Sequence, residues 1–196
     1  MNQKYNLAIV GATGNVGREI LSILEERDFP IDHLYLLASS RSKGQIITFK
    51  DEEFIVEDLS EFDFSKVEIG LFSPGGSISA QYAPIAATNG CIVIDNTSFF
   101  RMKKNVPLII PEVNADVLDE FFENGERSNI IANPNCSTIQ MLMALKPLHD
   151  AAIINRVVVS TYQSVSGAGK EGMDELFNQT QGIYTNKTIE KNKFTK

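Results

Sequence analysis

Two cysteines and two histidines are all that this sequence offers to thiol and imidazole chemistry, and they are scattered. Cys91 and Cys136 match neither a disulfide framework nor a metal-ligand spacing, and His33 and His149 belong to no ligand cluster, so no metal is expected. Positive charge is scarce as well. Lys and Arg number 18 against 25 Asp and Glu, for a formal net charge of −7. They form no stripe, so the electrostatic footprint of a nucleic-acid binder is missing. The small basic group at Lys187, Lys191, Lys193 and Lys196 reads as a solvated end. No apolar run is long enough to cross a bilayer, and no basic-then-apolar leader opens the chain, because Tyr5 to Val10 runs straight into a glycine turn. These absences leave a cytoplasmic, reducing setting, with neither membrane nor nucleic acid as partner.

What is present is a good-sized core and a strongly punctuated N-terminal half. At 196 residues, 43 % of them hydrophobic, the chain holds one domain, or one domain and part of another. Leu7 to Val10 reads as a strand, and Asn15 to Glu26 as a helix that spaces Val16, Ile20, Ile23 and Leu24 along one face. Pro30 closes that unit and Leu34 to Ala38 is the next strand, giving a βαβ unit and a parallel sheet. Ile46 to Phe49 and Glu53 to Glu57 suggest an antiparallel excursion around Lys50-Asp51-Glu52. Further strands are expected at Val67 to Phe72, Cys91 to Ile94 and Ile130 to Ala132, with helices at Ser77 to Asn89 and Ala115 to Phe122. Ser137 to Leu145 reads as a helix stopped by Pro147. Beyond it, Val157 to Tyr162 reads as a strand and Ala168 to Gln181 as a polar helix. A domain boundary is placed near Asn133 to Asn135.

The turn Gly11-Ala12-Thr13-Gly14-Asn15-Val16-Gly17 follows a strand and opens a helix. A tight turn, close backbone approach to a pyrophosphate and close helix-to-sheet packing each favour a missing Cβ, and the helix N-terminus attracts phosphate. Its spacing departs from Gly-x-Gly-x-x-Gly, and a plain structural turn is the alternative. After the second strand, Ser39-Ser40-Arg41-Ser42 stands where an NAD site often carries an acid. Hydroxyls and a guanidinium suit a 2′-phosphate, which favours NADP over NAD; a surface loop with a solvated Arg is the bland alternative. Ser73 and Gly75, in Ser73-Pro74-Gly75-Gly76 after another strand, reach the same edge of the sheet. Cys136, in Asn133-Pro134-Asn135-Cys136-Ser137-Thr138, falls where a new helix begins. There a thiolate would be favoured, although a lone cysteine also serves as core filler. Cys91 reads as core. His149 looks like a loop residue, and the intervening helix carries it well away from Cys136.

Together these motifs resemble the aspartate-semialdehyde dehydrogenases, from about residue 5 to residue 182. The resemblance rests on the glycine turn, Ser39 to Ser42, Asp95-Asn-Thr-Ser-x-Phe-Arg-Met102, Val106-Pro-Leu-Ile-Ile-Pro-Glu-Val-Asn114, Asn133 to Thr138 and Gln163-Ser-Val-Ser-Gly-Ala-Gly169. It implies NADPH-dependent reduction of L-aspartyl-4-phosphate to aspartate semialdehyde and phosphate, on the route to lysine, threonine, methionine and diaminopimelate. It assigns Cys136 as the nucleophile that forms a thioester, with Asn135 and Gln163 orienting the reacting groups, and Arg101 with Asn96 holding phosphate. Gly11, Thr13, Gly14, Asn15, Val16, Ser39, Arg41, Ser42, Ser73, Gly75, Ser166 and Gly167 would contact the cofactor. Asp95 reads as holding a local turn rather than acting as a base. Reductases of other acyl phosphates, such as N-acetyl-glutamyl phosphate, share the chemistry, and a non-catalytic nucleotide-binding fragment is the reading from another class.

The expected fold is α/β: a Rossmann-like parallel-sheet domain over residues 1–134, then the start of an α+β catalytic and dimerisation domain over 135–196. Family members carry further downstream a catalytic histidine, a substrate-binding arginine and a phosphate-binding lysine, so the chain reads as truncated. The complete protein is expected to be a homodimer.

Overall fold

The computed structural model describes residues 3–123 and 129–185, so the basic group from Lys187 to Lys196 lies outside the described residues. Two compact units divide the chain, residues 1–155 and 156–196. That division falls later than the boundary near Asn133 to Asn135 read from the sequence.

The first unit is built on a six-stranded parallel sheet. Its strands are β1 (Tyr5–Val10), β2 (Ile31–Ala38), β5 (Glu57–Asp58), β6 (Ile69–Phe72), β7 (Ile92–Asp95) and β8 (Ile130–Ala132), in the order β5-β2-β1-β6-β7-β8. β1 sits between β2 and β6, pairing Leu7 with Leu34 on one side and with Ile69 on the other. The chain therefore reverses its direction of travel across the sheet at β1, and such a switch point opens a crevice at the carboxyl ends of the strands.

Alternation along β1 sorts the core into two layers. Leu7 and Ile9 face one side, packed with Leu21 and Leu24 of α1 (Asn15–Glu26) and with Ile47 and Phe49 of β3 (Ile46–Phe49). Ala8 and Val10 face the other, with Phe64, Phe72, Cys91 and Val93, and with Ala83 and Ala86 of α2 (Gly76–Thr88). β3 pairs antiparallel with β4 (Glu52–Ile55), and the connecting Lys50 and Asp51 both adopt positive φ, as a two-residue hairpin turn requires. The expected βαβ unit, the hairpin, the strands expected before residue 133 and the Cys91 core position are thus present.

α3 (Pro111–Asn114) and α4 (Asp116–Glu123) follow β7, and α5 (Cys136–Ala151) follows β8. α5 corrects one expectation: it does not stop at Pro147 but carries that residue inside it, and His149 lies in its last turn rather than in a loop. Proline removes only one backbone donor, and two further i to i−4 spans beyond it are enough to hold the turn, closed by the Ala152 N–H donating to Leu148 O at 2.9 Å.

In the second unit, Ser164 opens a 3-10 turn over Val165–Ala168, and α6 (Gly169–Thr185) follows. The strand expected over Val157 to Tyr162 is absent. That segment is irregular and exposed, with Val158 at 80 %. Valine-rich sequence suits a pleated surface, but a strand exists only as one side of a ladder, and no partner strand is available among the described residues. Among the described residues, no helix is long and apolar enough to cross a membrane.

Candidate active site

Two groups of residues converge on the carboxyl edge of the sheet. The first is the glycine turn after β1. Gly11 has φ +89°, and a Cβ there would stand 2.8 Å from the carbonyl oxygen of Ser73. A Cβ on Gly17 would lie 2.3 Å from the carbonyl oxygen of Gly11. Both positions exclude side chains because the turn is pressed against α1 on one side and the β6 loop on the other. Gly14 is the N-cap of α1 and supplies no side-chain cap, so this helix end faces outward as bare backbone. The Gly11 and Ala12 N–H groups donate to Leu37 O at 2.8 and 3.2 Å, tying the turn to the end of β2.

A cavity of about 470 Å³ opens beside this turn. The glycine turn contributes Gly11, Thr13 and Gly14, the end of β2 contributes Ser39, Ser40 and Arg41, and the β6 loop contributes Ser73 and Pro74. Six residues nominated from the sequence for cofactor contact therefore share one cavity: Gly11, Thr13, Gly14, Ser39, Arg41 and Ser73. Asn15 and Val16 lie in the first turn of α1, while Ser42 and Gly75 stand outside the lining. The sequence reading missed Asp58, the second residue of the two-residue β5, with Leu59 and Ser60 just after it, and Ile78 and Tyr82, one helical turn apart on α2. The signal for the first three was a local one: an Asp two residues before a Ser can close an Asx turn. For Ile78 and Tyr82 the signal was their i, i+4 spacing.

The cradle, the outward helix end and the Arg41-bearing loop fit a phosphorylated dinucleotide. Anionic pyrophosphate matches a bare helix N-terminus, and Arg41 offers a planar fork of donors for a further phosphate.

The second group surrounds the exposed thiol of Cys136. Asn135 is the N-cap of α5, its Oδ1 accepting from the Ser137 N–H at 3.0 Å. This cap fixes Cys136 as the first residue of a 16-residue helix, where the aligned peptide dipoles favour an anion. The loop in front of it is locked to the loop after β7. The Arg101 Nε–H donates to Asn133 O at 2.9 Å and Nη2–H to Asn96 O at 3.1 Å. Asn133 Nδ2–H donates to Asn96 Oδ1 at 2.6 Å, and the Asn133 N–H to Asp95 O at 2.8 Å. Arg101 spends two of its five donors on backbone, leaving three in a fixed orientation for an anion. Asp95, fully buried, accepts from the Ser79 and Thr97 hydroxyls, so it anchors the β7 loop and has no base role to offer. Asn133 was not nominated from the sequence; only its bonds to residues 32 and 37 positions away reveal it.

Cys136, Asn135, Arg101 and Asn96 are thus drawn together through one hydrogen-bonded loop pair. Gln163, Ser166 and Gly167 belong to the second unit. There Gln163 is exposed and its Nε2–H donates to Thr161 Oγ1 at 3.4 Å, while Ser166 and Gly167 lie in the 3-10 turn, with the Ser164 and Ser166 hydroxyls 2.9 Å apart. The other thiol has the opposite character: burial pushes Cys91 up to about 12, which keeps it protonated and inert. Among the described residues, no group of side chains is arranged to hold a metal ion. His149 begins some 13 helix positions after Cys136, roughly 20 Å along the axis, which removes it as a partner for the thiol.

The family model described as "Semialdehyde dehydrogenase, NAD binding domain" matches residues 6–121. The chain belongs to the semialdehyde dehydrogenase family. A second model, the family's dimerisation domain, matches residues 145–196. A parallel-sheet nucleotide domain followed by dimerisation-domain sequence is therefore the architecture. Aspartate-semialdehyde dehydrogenase 2 of Vibrio cholerae is 54 % identical over 195 residues, covering 100 % of this chain and 57 % of that protein. Aspartate-semialdehyde dehydrogenase of Vibrio mimicus is also 54 % identical over 195 residues, covering 100 % of this chain and 60 % of the relative. The crystal structure of the Vibrio cholerae dehydrogenase II complexed with ASA superposes with a TM-score of 0.89 at 53 % identity, over 100 % of this chain and 57 % of that one. The chain thus spans somewhat more than half the length of these semialdehyde dehydrogenases.

Proposed function

We propose that this chain carries the dinucleotide site and the nucleophile of an NADP-dependent aspartate-semialdehyde dehydrogenase, which converts L-aspartyl-4-phosphate to L-aspartate 4-semialdehyde on the route to lysine, threonine, methionine and diaminopimelate. The observation that carries this reading is the junction at Cys136. An exposed thiol opens a capped helix, and the loop before it is bonded to an arginine with donors to spare.

In this reading Cys136 attacks the acyl carbon, the carbonyl electrons move onto oxygen, and on their return phosphate leaves and a thioester remains. Arg101 holds the departing phosphate with the donors not used by Asn96 and Asn133. Asn96 helps to shape that anion site, and Asn135 fixes the thiol at the head of α5. The dinucleotide, when bound, supplies the hydride that reduces the thioester. Gly11, Thr13, Gly14, Asn15 and Val16 hold its pyrophosphate end, Ser39, Arg41 and Ser42 its 2′-phosphate, and Ser73 and Gly75 line the path between. By the family resemblance, Gln163 would orient the acyl group, and Ser166 and Gly167 would serve the nicotinamide. The functional boundary between nucleotide and catalytic parts is set at 134/135, because the residue that reacts is the first of α5. Dimerisation through the second part and a reducing cytoplasmic setting complete the reading; the two free thiols support the latter.

The test is phosphate-dependent NADPH formation from aspartate semialdehyde. It is run on this chain and on a chimera completed with the remaining C-terminal part of the Vibrio cholerae relative. Turnover in the chimera, lost on Cys136→Ser, is the expected result. NADPH binding by both proteins without turnover in either would overturn the substrate assignment and favour another acyl phosphate, such as N-acetyl-glutamyl phosphate, or a non-catalytic role.

A further inference from the structure

Asp58 is a carboxylate where a nucleotide cavity would be expected to avoid one. It lines the same cavity as Arg41, is only 7 % exposed, and is one of the few buried charged groups in the first unit. Its Oδ1 is fully engaged: the Ser60 N–H donates to it at 2.9 Å and the Ser60 hydroxyl at 2.7 Å. Those two bonds hold the carboxyl below its ordinary range, so at neutral pH the group is an obligate acceptor. Its Oδ2 has no partner among the described residues. Lys43, the cation whose charge also lowers the Asp58 carboxyl, is paired with Glu61. No buried side-chain oxygen or nitrogen among the described residues lacks a partner, so Oδ2 is open to the cavity that Asp58 lines and is free to meet a donor that enters it.

The surroundings narrow the donor. Leu59 follows Asp58 directly, and Ile78 and Tyr82 stand one turn apart on α2, so an apolar and aromatic wall shares the cavity with the carboxylate. Flat heteroaromatic rings are the ligand parts that fill such a wall and still carry an N–H at the edge. Arg41 lines the cavity as well, and a 2′-phosphate held there would be repelled by Asp58 if the carboxylate were turned to the ribose. The adenosine half of a phosphorylated dinucleotide has two kinds of donor left: the ribose 3′-hydroxyl beside that phosphate, and the 6-amino group of the base.

We propose that Asp58, flanked by Leu59, Ile78 and Tyr82, is the base-reading residue of the dinucleotide site, its Oδ2 accepting a hydrogen bond from the 6-amino group of adenine. The assignment deepens the NADP reading and rests on it. Ser60 is the positioning residue, holding Oδ1 so that Oδ2 is the oxygen presented.

The test compares NADPH with its hypoxanthine counterpart, in which a carbonyl replaces the 6-amino group, by fluorescence titration of the 196-residue chain. The unsubstituted protein should prefer NADPH by about tenfold or more, the range of one hydrogen bond to a charged group. Asp58→Asn keeps an amide oxygen for the Ser60 turn and turns the free acceptor into a donor. It should abolish or invert that preference while 2′,5′-ADP still outcompetes 5′-ADP through Arg41. Equal affinity of the unsubstituted protein for the two dinucleotides overturns the proposal without needing any variant. An Asp58→Asn protein that loses affinity for both dinucleotides in equal proportion also overturns it, in favour of a ribose contact. If the unsubstituted protein binds neither dinucleotide, the nucleotide reading itself fails, a distinct result from loss of base preference alone.

Discussion

The parallel sheet of residues 5–132 and the segment from Ile153 to Thr185 are similar in apolar sequence and opposite in what they bury. Leu7, Ile9, Val10, Leu37 and Phe72 are each 0 % exposed, whereas Val157, Val158 and Val159 are 49, 80 and 57 % exposed and Tyr162 is fully open. Both regions contain β-branched runs that look alike on paper. The difference lies in partners: β1 has a strand on each side, while Val157 to Tyr162 has no ladder among the described residues. Strand propensity is a statement about fitting a pleated surface, and it is realised only where that surface exists.

The largest expected contrast follows directly. Phe72→Ala should cost about 3–5 kcal/mol, since it empties a fully buried position between the Phe64 ring and β7. Val158→Ala should stay within about 0.5 kcal/mol. Urea unfolding followed by far-ultraviolet circular dichroism measures both, as the chain has no tryptophan to report by fluorescence. A Val158→Ala cost approaching that of Phe72→Ala would mean the second segment is packed after all.

Glycines give the same contrast at smaller scale. Gly17→Ala would place a methyl 2.3 Å from the Gly11 carbonyl oxygen, a rigid backbone atom. It should destabilise the sheet unit by about 1–3 kcal/mol and weaken NADPH binding. A Cβ on Gly167 would meet nothing within 4 Å, so Gly167→Ala should change stability by no more than about 0.5 kcal/mol. Thermal melts with and without NADPH would show whether Gly17 serves the fold, the cofactor or both.

Between these regions stands α5, whose cap carries the chemistry. Asn135→Ala removes the acceptor for the Ser137 N–H and should cost about 1 kcal/mol, with Asn135→Asp retaining most of it. The same pair sharpens the active-site argument. If Asn135 only caps the helix, Asp restores iodoacetamide labelling of Cys136 to the original rate; if its amide also touches substrate, Asp restores stability but not turnover.

What could be read in the sequence follows from range. Local signals held: the glycine turn with α1, the Lys50-Asp51 hairpin turn, the start of α5 at Asn135-Cys136, and Cys91 as core. Each is decided within a few residues by φ, capping or alternation. Pro147 misled because a proline costs one hydrogen bond, and a helix with other bonds on both sides absorbs that loss. The Arg101–Asn133–Asn96 lock was invisible because it joins loops 32 to 37 residues apart, brought together only by the parallel pairing of β7 with β8. Asp58 escaped notice for a related reason. It sits on a two-residue strand, too short for any periodicity to register, and acquires its setting from β2 beside it.

The last effect shows only in alkali, and it rests on the buried thiol of Cys91. Cys91 is buried with its ionisation pushed from an ordinary 9.0 to about 12, by desolvation alone. In the unfolded chain the same thiol meets water and loses its proton near its ordinary value. Between roughly pH 9 and 12, then, the unfolded state binds fewer protons than the native one, and stability must fall as pH rises through that window. Below about pH 8 both states are protonated and the contribution is fully present. Cys91→Ala should therefore lower the melting temperature modestly at pH 7.5, by leaving a small gap, yet make the decline between pH 8.5 and 10.5 shallower than in the unsubstituted protein. Equal slopes for the unsubstituted and Cys91→Ala proteins would show that Cys91 ionises in the folded state, and would place its side chain in contact with water rather than among Val93, Ala86 and Phe72.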